Sequence, residues 1–127
     1  MILSIIIPVY NEEKTIIKVL EKIKNNSSNL FEYEVVVIDD GSTDQSRKLL
    51  ENKKHLFNKL LINETNKGKG FSVKKGILNA SGTYIIFQDA DFEYDPIDFK
   101  KFEKVFVDLN ADGIIGSRFV YSNYTRS

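Results

Sequence analysis

The sequence predicts an α/β domain in which a mainly parallel sheet is covered by helices on both faces. Apolar runs of strand length alternate with segments of helical period along the whole chain. The strongest of these runs, residues 2–9 and 34–39, are rich in β-branched residues on both faces, which is typical of parallel strands buried between helices. With 127 residues, the chain fits one domain.

The elements follow in the order β-α-β-α-β-α-β-α-β. The predicted strands comprise residues 2–9, 34–39, 59–63, 83–88 and 113–116. Each is a short apolar run bounded by polar or glycine-containing turns, which favours a strand over a helix. No internal repeat, low-complexity tract or linker interrupts this alternation.

Each predicted helix has a starting or ending signal. Asn11 is expected to cap the first helix, which carries the apolar stripe Ile16, Leu20 and Ile23. A capping box formed by Ser42 and Gln45 opens the second. The third spans residues 71–80 and ends before a C′ glycine, Gly82. The fourth begins with Asp95 and Pro96 and has the apolar stripe Phe99, Phe102, Phe106 and Leu109.

Composition excludes several classes of function. Eighteen basic residues balance eighteen acidic ones, so net charge does not indicate nucleic acid as a partner. The absence of cysteine excludes a disulfide scaffold and a thiol nucleophile. Because the sequence shows neither a signal peptide nor an apolar run of membrane-spanning length, we expect a soluble protein that faces the cytoplasm.

Acidic residues follow the fourth predicted strand directly. Ligands of parallel sheets bind beyond the carboxyl ends of the strands. Asp89 and Asp91 are two residues apart, so in extended backbone both carboxylates face one point, and Glu93 continues the spacing. Three crowded carboxylates repel one another unless a cation intervenes, and oxygen ligands suit Mg²⁺ or Mn²⁺. The alternative is a solvated acidic turn.

The second strand also ends on carboxylates. Asp39 and Asp40 are placed to accept hydrogen bonds from a ribose hydroxyl or a base N–H, and Gly41 lets the backbone turn close to a ligand. The same residues suit a helix-capping turn. The two interpretations are compatible, because one aspartate can cap while the other binds.

Two basic segments are candidates for phosphate binding. The first, the glycine-lysine loop Lys67-Gly68-Lys69-Gly70, opens a helix and is placed to offer backbone N–H groups and ammonium groups to phosphates, although such turns are also common on surfaces. Arg118 follows the last predicted strand and is a candidate phosphate clamp, or else a solvent-exposed arginine. His55 has no partner nearby in the sequence and is more typical of a surface histidine.

Other nucleotide-binding classes lack their motifs. The first strand-to-helix turn contains no glycine, which excludes the dinucleotide-binding fingerprint, and no P-loop sequence is present. Paired aspartates also occur in haloacid-dehalogenase-type phosphatases, but there they follow the first strand.

Five sequence blocks are distributed over nearly the whole chain: Ile6-Ile7-Pro8-Val9-Tyr10-Asn11-Glu12, Val36-Val37-Ile38-Asp39-Asp40-Gly41-Ser42-Thr43-Asp44, Lys67-Gly68-Lys69-Gly70, Gln88-Asp89-Ala90-Asp91 and Gly116-Ser117-Arg118. In this order, they together resemble the family-two glycosyltransferases of GT-A fold, and most closely their dolichol-phosphate mannose synthase branch.

The resemblance implies an inverting, metal-dependent transferase that moves a sugar from GDP-mannose or a UDP-sugar to an acceptor, with a polyprenyl phosphate expected as acceptor. It implies that Pro8, Tyr10 and Glu12 line the nucleotide pocket and that Asp39 and Asp40 hold base and ribose. The remaining roles are metal binding by Asp89, Asp91 and Glu93, and contact with donor or acceptor phosphates by Arg118.

Two alternatives remain open: a binding module without turnover, and a transferase acting on a saccharide hydroxyl. For the latter the sequence shows no general base. The resemblance also implies that residues 1–127 are the donor-binding part of a GT-A domain that is incomplete on its C-terminal side. We expect peripheral association with the inner membrane face, where a lipid acceptor would lie, and self-association through an uncovered sheet edge.

Overall fold

A computed structural model describes residues 1–26 and 30–91. The described elements are β1 (Ile2–Val9), α1 (Ile16–Asn25), β2 (Glu32–Asp40), α2 (Ser46–Asn52), a 3₁₀ turn (Lys54–Leu56), β3 (Lys59–Asn63), α3 (Lys69–Asn79) and β4 (Tyr84–Phe87). The predicted fourth helix and fifth strand lie outside the described residues. Within the described part of the chain, no helix is long and apolar enough to cross a membrane.

The four strands form one parallel sheet in the order β3-β2-β1-β4. Ile5 of β1 lies opposite Val35 of β2 on one side and opposite Ile86 of β4 on the other. The chain therefore moves outward from β1 to β3 and then returns to place β4 on the far side of β1. A reversal of this kind brings the carboxyl ends of β1 and β4 together at a common crevice.

Helices cover both faces of the sheet, as the sequence predicted. On one face, Ile5 and Ile7 of β1 belong to the same buried cluster as Leu20 of α1 and Leu50 of α2. On the other, Ile6 and Ile38 form a second cluster against Val73 and Ile77 of α3. Alternation along β1 thus supplies apolar side chains to both layers, which explains why its sequence is apolar at nearly every position.

Close packing of α3 on the sheet depends on Gly76. A Cβ atom at this position would lie 2.6 Å from Cγ2 of Ile6 and 2.8 Å from Cδ1 of Ile38. Neither contact is possible without displacement of the neighbouring side chain, so any larger residue would push α3 away from the sheet. Gly76 therefore fixes the distance between α3 and the sheet, and with it the position of the first turn of α3.

Both predicted N-terminal caps among the described helices are wrong, and long-range hydrogen bonds explain them. Asn11 does not cap α1, which begins at Ile16; it has a positive φ of 53° and its side chain binds residues 43 and 44. Ser42 does not open α2, because its hydroxyl accepts a hydrogen bond from the Asn11 amide. At the start of α2, Oδ1 of Asp44 instead accepts a hydrogen bond from the Ser46 amide.

Gly82 does not terminate α3 as a C′ residue, because α3 ends at Asn79 and the C-cap is Ala80. Its amide donates a 2.9 Å hydrogen bond to the Ser4 hydroxyl. A Cβ atom here would collide with that hydroxyl and with the carbonyl of Ile2. The glycine is therefore needed for close approach to β1, not for a left-handed backbone.

A partly buried carboxylate, Glu34, joins the amino ends of the strands. It accepts hydrogen bonds from the hydroxyl of Ser4 (2.7 Å) and from the hydroxyl (2.5 Å) and amide (2.8 Å) of Ser81, and Nζ of Lys59 lies 3.5 Å away. Although burial alone would raise the pKa of Glu34, these bonds and the Lys59 charge lower it to about 2.

Candidate functional site

The crevice between β1 and β4 begins at Pro8. The Ile6 carbonyl accepts a hydrogen bond from the Gln88 amide. Because residues two apart in a strand turn their backbone groups to the same neighbouring strand, the backbone of Pro8 also faces β4. Proline has no N–H to donate, and the β1–β4 pairing ends at Ile6 and Phe87. The two strands therefore separate at Pro8, which leaves space between their carboxyl ends.

Asn11 fastens the loop after β1 to the loop after β2. Its side-chain oxygen accepts hydrogen bonds from the amides of Thr43 (2.7 Å) and Asp44 (3.2 Å). The Glu12 amide donates to the Ser46 hydroxyl at 2.8 Å, and the Glu13 amide to Oδ2 of Asp44 at 3.2 Å. One wall of the crevice is thus held by bonds between residues more than thirty positions apart.

Gly41 lets the loop after β2 meet the loop after β3. Its φ is +69°, and a Cβ atom here would lie 2.5 Å from the backbone of both Thr65 and Asn66. A side chain would be excluded by the space and disfavoured by the left-handed backbone. Gly41 therefore brings the loop after β2 close to the backbone of the loop after β3, and its predicted close approach to a ligand stays a prediction.

Asp40 holds the glycine-lysine loop in place. Its Oδ1 accepts hydrogen bonds from the Lys67 amide (2.7 Å) and from Nδ2 of Asn63 (2.9 Å), and its Oδ2 accepts one from the Gly68 amide (3.0 Å). The side chain is buried. Asp40 therefore holds the loop that precedes α3 and does not cap α2, the helix that follows it, and its contact with a nucleoside stays a prediction.

Asp39 has the opposite environment. It is only 1% exposed, yet neither carboxylate oxygen accepts a hydrogen bond from the described residues. Burial raises the pKa of Asp39, and the polar groups of Ser42 and the charge of Arg47 only partly offset this effect. A buried carboxylate without a hydrogen-bond partner among the described residues is costly to keep. The predicted contact of Asp39 with a nucleoside stays a prediction.

Two contacts fix the segment that follows β4. The Thr15 hydroxyl at the start of α1 donates a 2.7 Å hydrogen bond to the Ala90 carbonyl. Nζ of Lys69, the first residue of α3, lies 2.8 Å from Oδ1 of Asp89. The predicted carboxylate pair is therefore attached to a helix on each face of the sheet.

Negative charge accumulates around this segment. The pKa of Glu12 is raised by burial and by the charges of Asp91, Asp44 and Asp89, although a hydrogen bond from the Thr15 hydroxyl opposes the shift. The energy between two charges falls with their distance, so the effect of Asp89 and Asp91 on the pKa of Glu12 means that the three carboxylates lie in one region of negative potential.

These groups surround a cavity of about 560 Å³. Its lining residues come from all four carboxyl-end loops: Pro8, Val9, Tyr10, Glu12, Asp40, Asn66, Gly68, Lys69, Asp89, Ala90 and Asp91. Most of the predicted site residues within the described part of the chain are among them. Asp39, Gly41 and Lys67 lie in the same loops but not in the lining, and Glu93 and Arg118 fall outside the described residues.

Within residues 1–26 and 30–91, no group of three or more histidine, aspartate or glutamate side chains could by itself hold a metal ion. Mg²⁺ and Mn²⁺ do not require one, because Mg²⁺ usually takes one or two carboxylates together with phosphate oxygens and water. Asp89 and Asp91 supply such a pair. Burial is the main cause of the raised pKa of Glu12, and the charges of Asp91 and Asp89 raise it further; a cation would relieve that repulsion. The residues present therefore fit a divalent cation bound jointly with a substrate.

Sequence reasoning offered both lysines of the glycine-lysine loop for phosphate contact, but it did not relate Lys69 to Asp89. It did not assign a role to Asn66, which belongs to the same predicted loop. The Asn66 side chain donates a hydrogen bond of 3.3 Å to the Asp40 carbonyl. No local pattern relates Lys69 to Asp89, twenty residues away. Only the sheet order brings them together.

A smaller cavity of about 330 Å³ lies near the end of α1, with Phe31, Tyr33 and Leu56 among its lining residues. It contains none of the carboxylates or loop amides described above. The carboxyl-end cavity is therefore the better candidate for chemistry.

Comparison with known proteins identifies the family. The Glycosyl transferase family 2 model matches residues 4–127. A dolichyl-phosphate beta-glucosyltransferase of Dictyostelium discoideum is 37% identical over 129 residues, covering 91% of this chain and 39% of that protein. The chain belongs to glycosyl transferase family 2, and the resemblance noted in the sequence is confirmed.

Two solved structures resemble the fold. S. aureus TarS (residues 1–349), in complex with UDP-GlcNAc, is 33% identical with a TM-score of 0.71, over 87% of this chain and 32% of that one. A mannosyltransferase from Pyrobaculum calidifontis, in complex with GDP-Man and Mn²⁺, is 29% identical with a TM-score of 0.60, over 70% of this chain and 27% of that one. The predicted GT-A fold class is thereby confirmed.

The chain spans less than half the length of each of these proteins. The nucleotide-sugars and Mn²⁺ named above belong to the two solved complexes.

Proposed function

We propose that this chain provides the donor site of an inverting, metal-dependent glycosyltransferase that moves a sugar from a nucleoside diphosphate to a polyprenyl phosphate. The observation that carries the proposal is the convergence of Glu12, Asp89, Asp91 and Lys69 on one cavity at the β1–β4 crevice. The cavity contains both signs of charge, as recognition of a cation and a diphosphate together requires. Family membership and the dolichyl-phosphate relative support the reaction class.

The nucleoside would bind beside β1 and β2. Tyr10 is 46% exposed at the cavity and offers an aromatic face to a base. Both carboxylate oxygens of Asp39 lack a hydrogen-bond partner in the part of the chain that the structure describes, and they suit a base N–H or a ribose hydroxyl. Asp40 would act indirectly, because its oxygens already hold the loop that approaches the phosphates.

The diphosphate would bind between the start of α3 and the end of β4. The first turn of a helix presents N–H groups without intrahelical acceptors, and its dipole favours anions. Asp89 and Asp91 would hold Mg²⁺ or Mn²⁺, which would stabilise the negative charge that develops on the leaving diphosphate. Lys69 and the α3 amides would orient the phosphates in the same step.

The acceptor determines whether a general base is needed. A polyprenyl phosphate is already ionised at neutral pH, so it can attack the anomeric carbon without losing a proton to the protein. Direct attack opposite the leaving group inverts the anomeric centre. A lipid acceptor would also bring the protein to a membrane surface.

The test begins with binding. Calorimetric titration of UDP and GDP, each with and without Mn²⁺, should give metal-dependent affinity for at least one nucleotide. Labelled UDP-glucose and GDP-mannose are then supplied with dolichyl phosphate or with saccharide acceptors, and NMR of the product reports the anomeric configuration. Transfer only to a saccharide would contradict the proposal that the acceptor is a polyprenyl phosphate. Nucleotide binding without transfer to any acceptor would favour a non-catalytic binding module.

A further inference from the structure

Lys69 occupies a position that helix electrostatics disfavour. The amino end of a helix carries partial positive charge, so acidic side chains stabilise its first turn and cations do not. Lys67 and Lys69 nevertheless flank the N-cap residue Gly68 of α3, and the first turn contains no acidic residue. Local helix stability therefore does not explain the presence of Lys69.

The ammonium group of Lys69 instead contacts the carboxylate of Asp89. The distance from Nζ to Oδ1 is 2.8 Å, and the two side chains are 50% and 20% exposed. An ion pair as exposed as this contributes at most about a fivefold change in an equilibrium constant. A doubly charged cation can therefore displace the lysine from Asp89 at little cost.

We propose that Lys69 is an exchangeable counter-ion, which neutralises Asp89 before a divalent cation binds and then turns to the donor diphosphate. This inference rests on the proposed function. Lys69 and Asp89 line the same cavity, and four rotatable bonds allow the lysine to move between neighbouring anions. Without a cation at this place, the carboxylates of Glu12, Asp89 and Asp91, which line the same cavity, would repel one another.

The exchange couples two binding events. While Lys69 is paired with Asp89, it competes with the metal; once the metal has bound, the released ammonium strengthens binding of the nucleotide. Energetic coupling between two ligands is reciprocal, so it can be measured from either side. Loss of the lysine should therefore have opposite effects on the two affinities, which a merely structural ion pair would not produce.

The experiment compares Lys69→Met with a matched variant, Lys74→Met. Lys74 is exposed on the same helix but does not line the cavity. Mn²⁺ is titrated without nucleotide, and UDP and GDP are titrated at saturating Mn²⁺, both by calorimetry. In Lys69→Met, Mn²⁺ alone should bind about fivefold tighter and the nucleoside diphosphate about fivefold weaker. Lys74→Met and the charge-preserving Lys69→Arg should stay close to wild type in both titrations.

The outcomes separate this inference from the proposed function. If wild type binds Mn²⁺ and a nucleoside diphosphate but Lys69→Met leaves Mn²⁺ affinity unchanged or weaker, the exchange is wrong and the donor site stands. If wild type binds neither ligand, both proposals fail. Thermal unfolding without ligands verifies that each variant is folded, and Lys69→Gln serves as a second neutral variant.

Discussion

The hydroxyl of Thr15 donates a 2.7 Å hydrogen bond to the Ala90 carbonyl, and so joins the start of α1 to the peptide between Asp89 and Asp91. The bond spans 75 positions of sequence. Through it, the helix on one face of the sheet fixes the segment that presents the two carboxylates. Its contribution can be measured separately from theirs, because Thr15 does not line the cavity.

Thr15→Val should weaken Mn²⁺-dependent nucleotide binding several-fold and lower the free energy of unfolding by about 1 kcal/mol. Valine has nearly the shape of threonine but cannot donate, so the Ala90 carbonyl loses its partner. Calorimetry and urea unfolding measure the two effects. Thr15→Ser keeps the hydroxyl and should restore most of the binding; a serine variant as weak as the valine variant would show that packing, not the hydrogen bond, holds the segment.

Asp91→Asn should greatly reduce the dependence of nucleotide affinity on Mn²⁺ while leaving thermal stability close to that of wild type. An amide has nearly the same shape as a carboxylate but lacks the charge that a hard cation requires. Titration of UDP or GDP with and without Mn²⁺ measures the dependence. Glu21→Gln removes the same charge from an exposed position on α1 and should behave as wild type. Equal metal dependence in Asp91→Asn and wild type would remove Asp91 from the metal site.

Asp39→Asn and Asp40→Asn should change stability in opposite directions. Asp39 is buried and has no hydrogen-bond partner within residues 1–26 and 30–91, so neutralising it should raise the free energy of unfolding by about 1 kcal/mol. Asp40 accepts three hydrogen bonds from Asn63, Lys67 and Gly68, and an amide cannot accept from all of these donors. Its replacement should therefore cost about 1.5–3 kcal/mol.

The same two variants also test nucleoside recognition. Asp39→Asn should weaken binding of UMP or GMP despite its greater stability, because an unpaired carboxylate is the acceptor available to the base or ribose. Urea unfolding and monophosphate titration together measure both properties. Normal monophosphate affinity in Asp39→Asn would mean that this carboxylate does not hold the nucleoside.

Acid should remove the stabilisation that Glu34 provides. The pKa of Glu34 is about 2 in the folded protein, against an ordinary value of 4.5. Because folding favours the charged form, its contribution is complete above pH 4.5 and is lost progressively as the pH falls from 4.5 toward 2. Glu34→Gln should therefore lower stability by about 1.5–3 kcal/mol at pH 6, and the difference from wild type should shrink at pH 3. Urea unfolding at a series of pH values measures it; a difference independent of pH would contradict the assignment.

The strands were the most predictable part of the fold. The bounds of β1 and β3 agree with the prediction, because polar or glycine-containing turns flank each apolar run. The starts of α1 and α2 were not predictable locally. Asn11 and Ser42 are good capping residues, but each forms hydrogen bonds with the loop that contains the other. These bonds form because β1 and β2 are neighbours in the sheet.

The residue types of the candidate site were predictable from the sequence, whereas the contacts between its residues were predictable only in part. The spacing of Asp89 and Asp91 after a strand indicated two carboxylates at the cavity, and both line it. Adjacent Asp39 and Asp40 could not be distinguished by sequence, because their environments differ only through the two faces of β2. The pairing of Lys69 with Asp89 likewise requires the three-dimensional arrangement of α3 and β4.

Glu34 and its partners lie at the amino ends of the strands, whereas Glu12, Asp89 and Asp91 lie at the carboxyl ends. Protein engineers can exploit this separation. A library that varies donor preference can be confined to the carboxyl-end loops, while acid tolerance is selected independently at the Glu34 cluster. Improvements found at the two ends should combine additively when recombined in one gene, because distant sites without shared partners seldom interact.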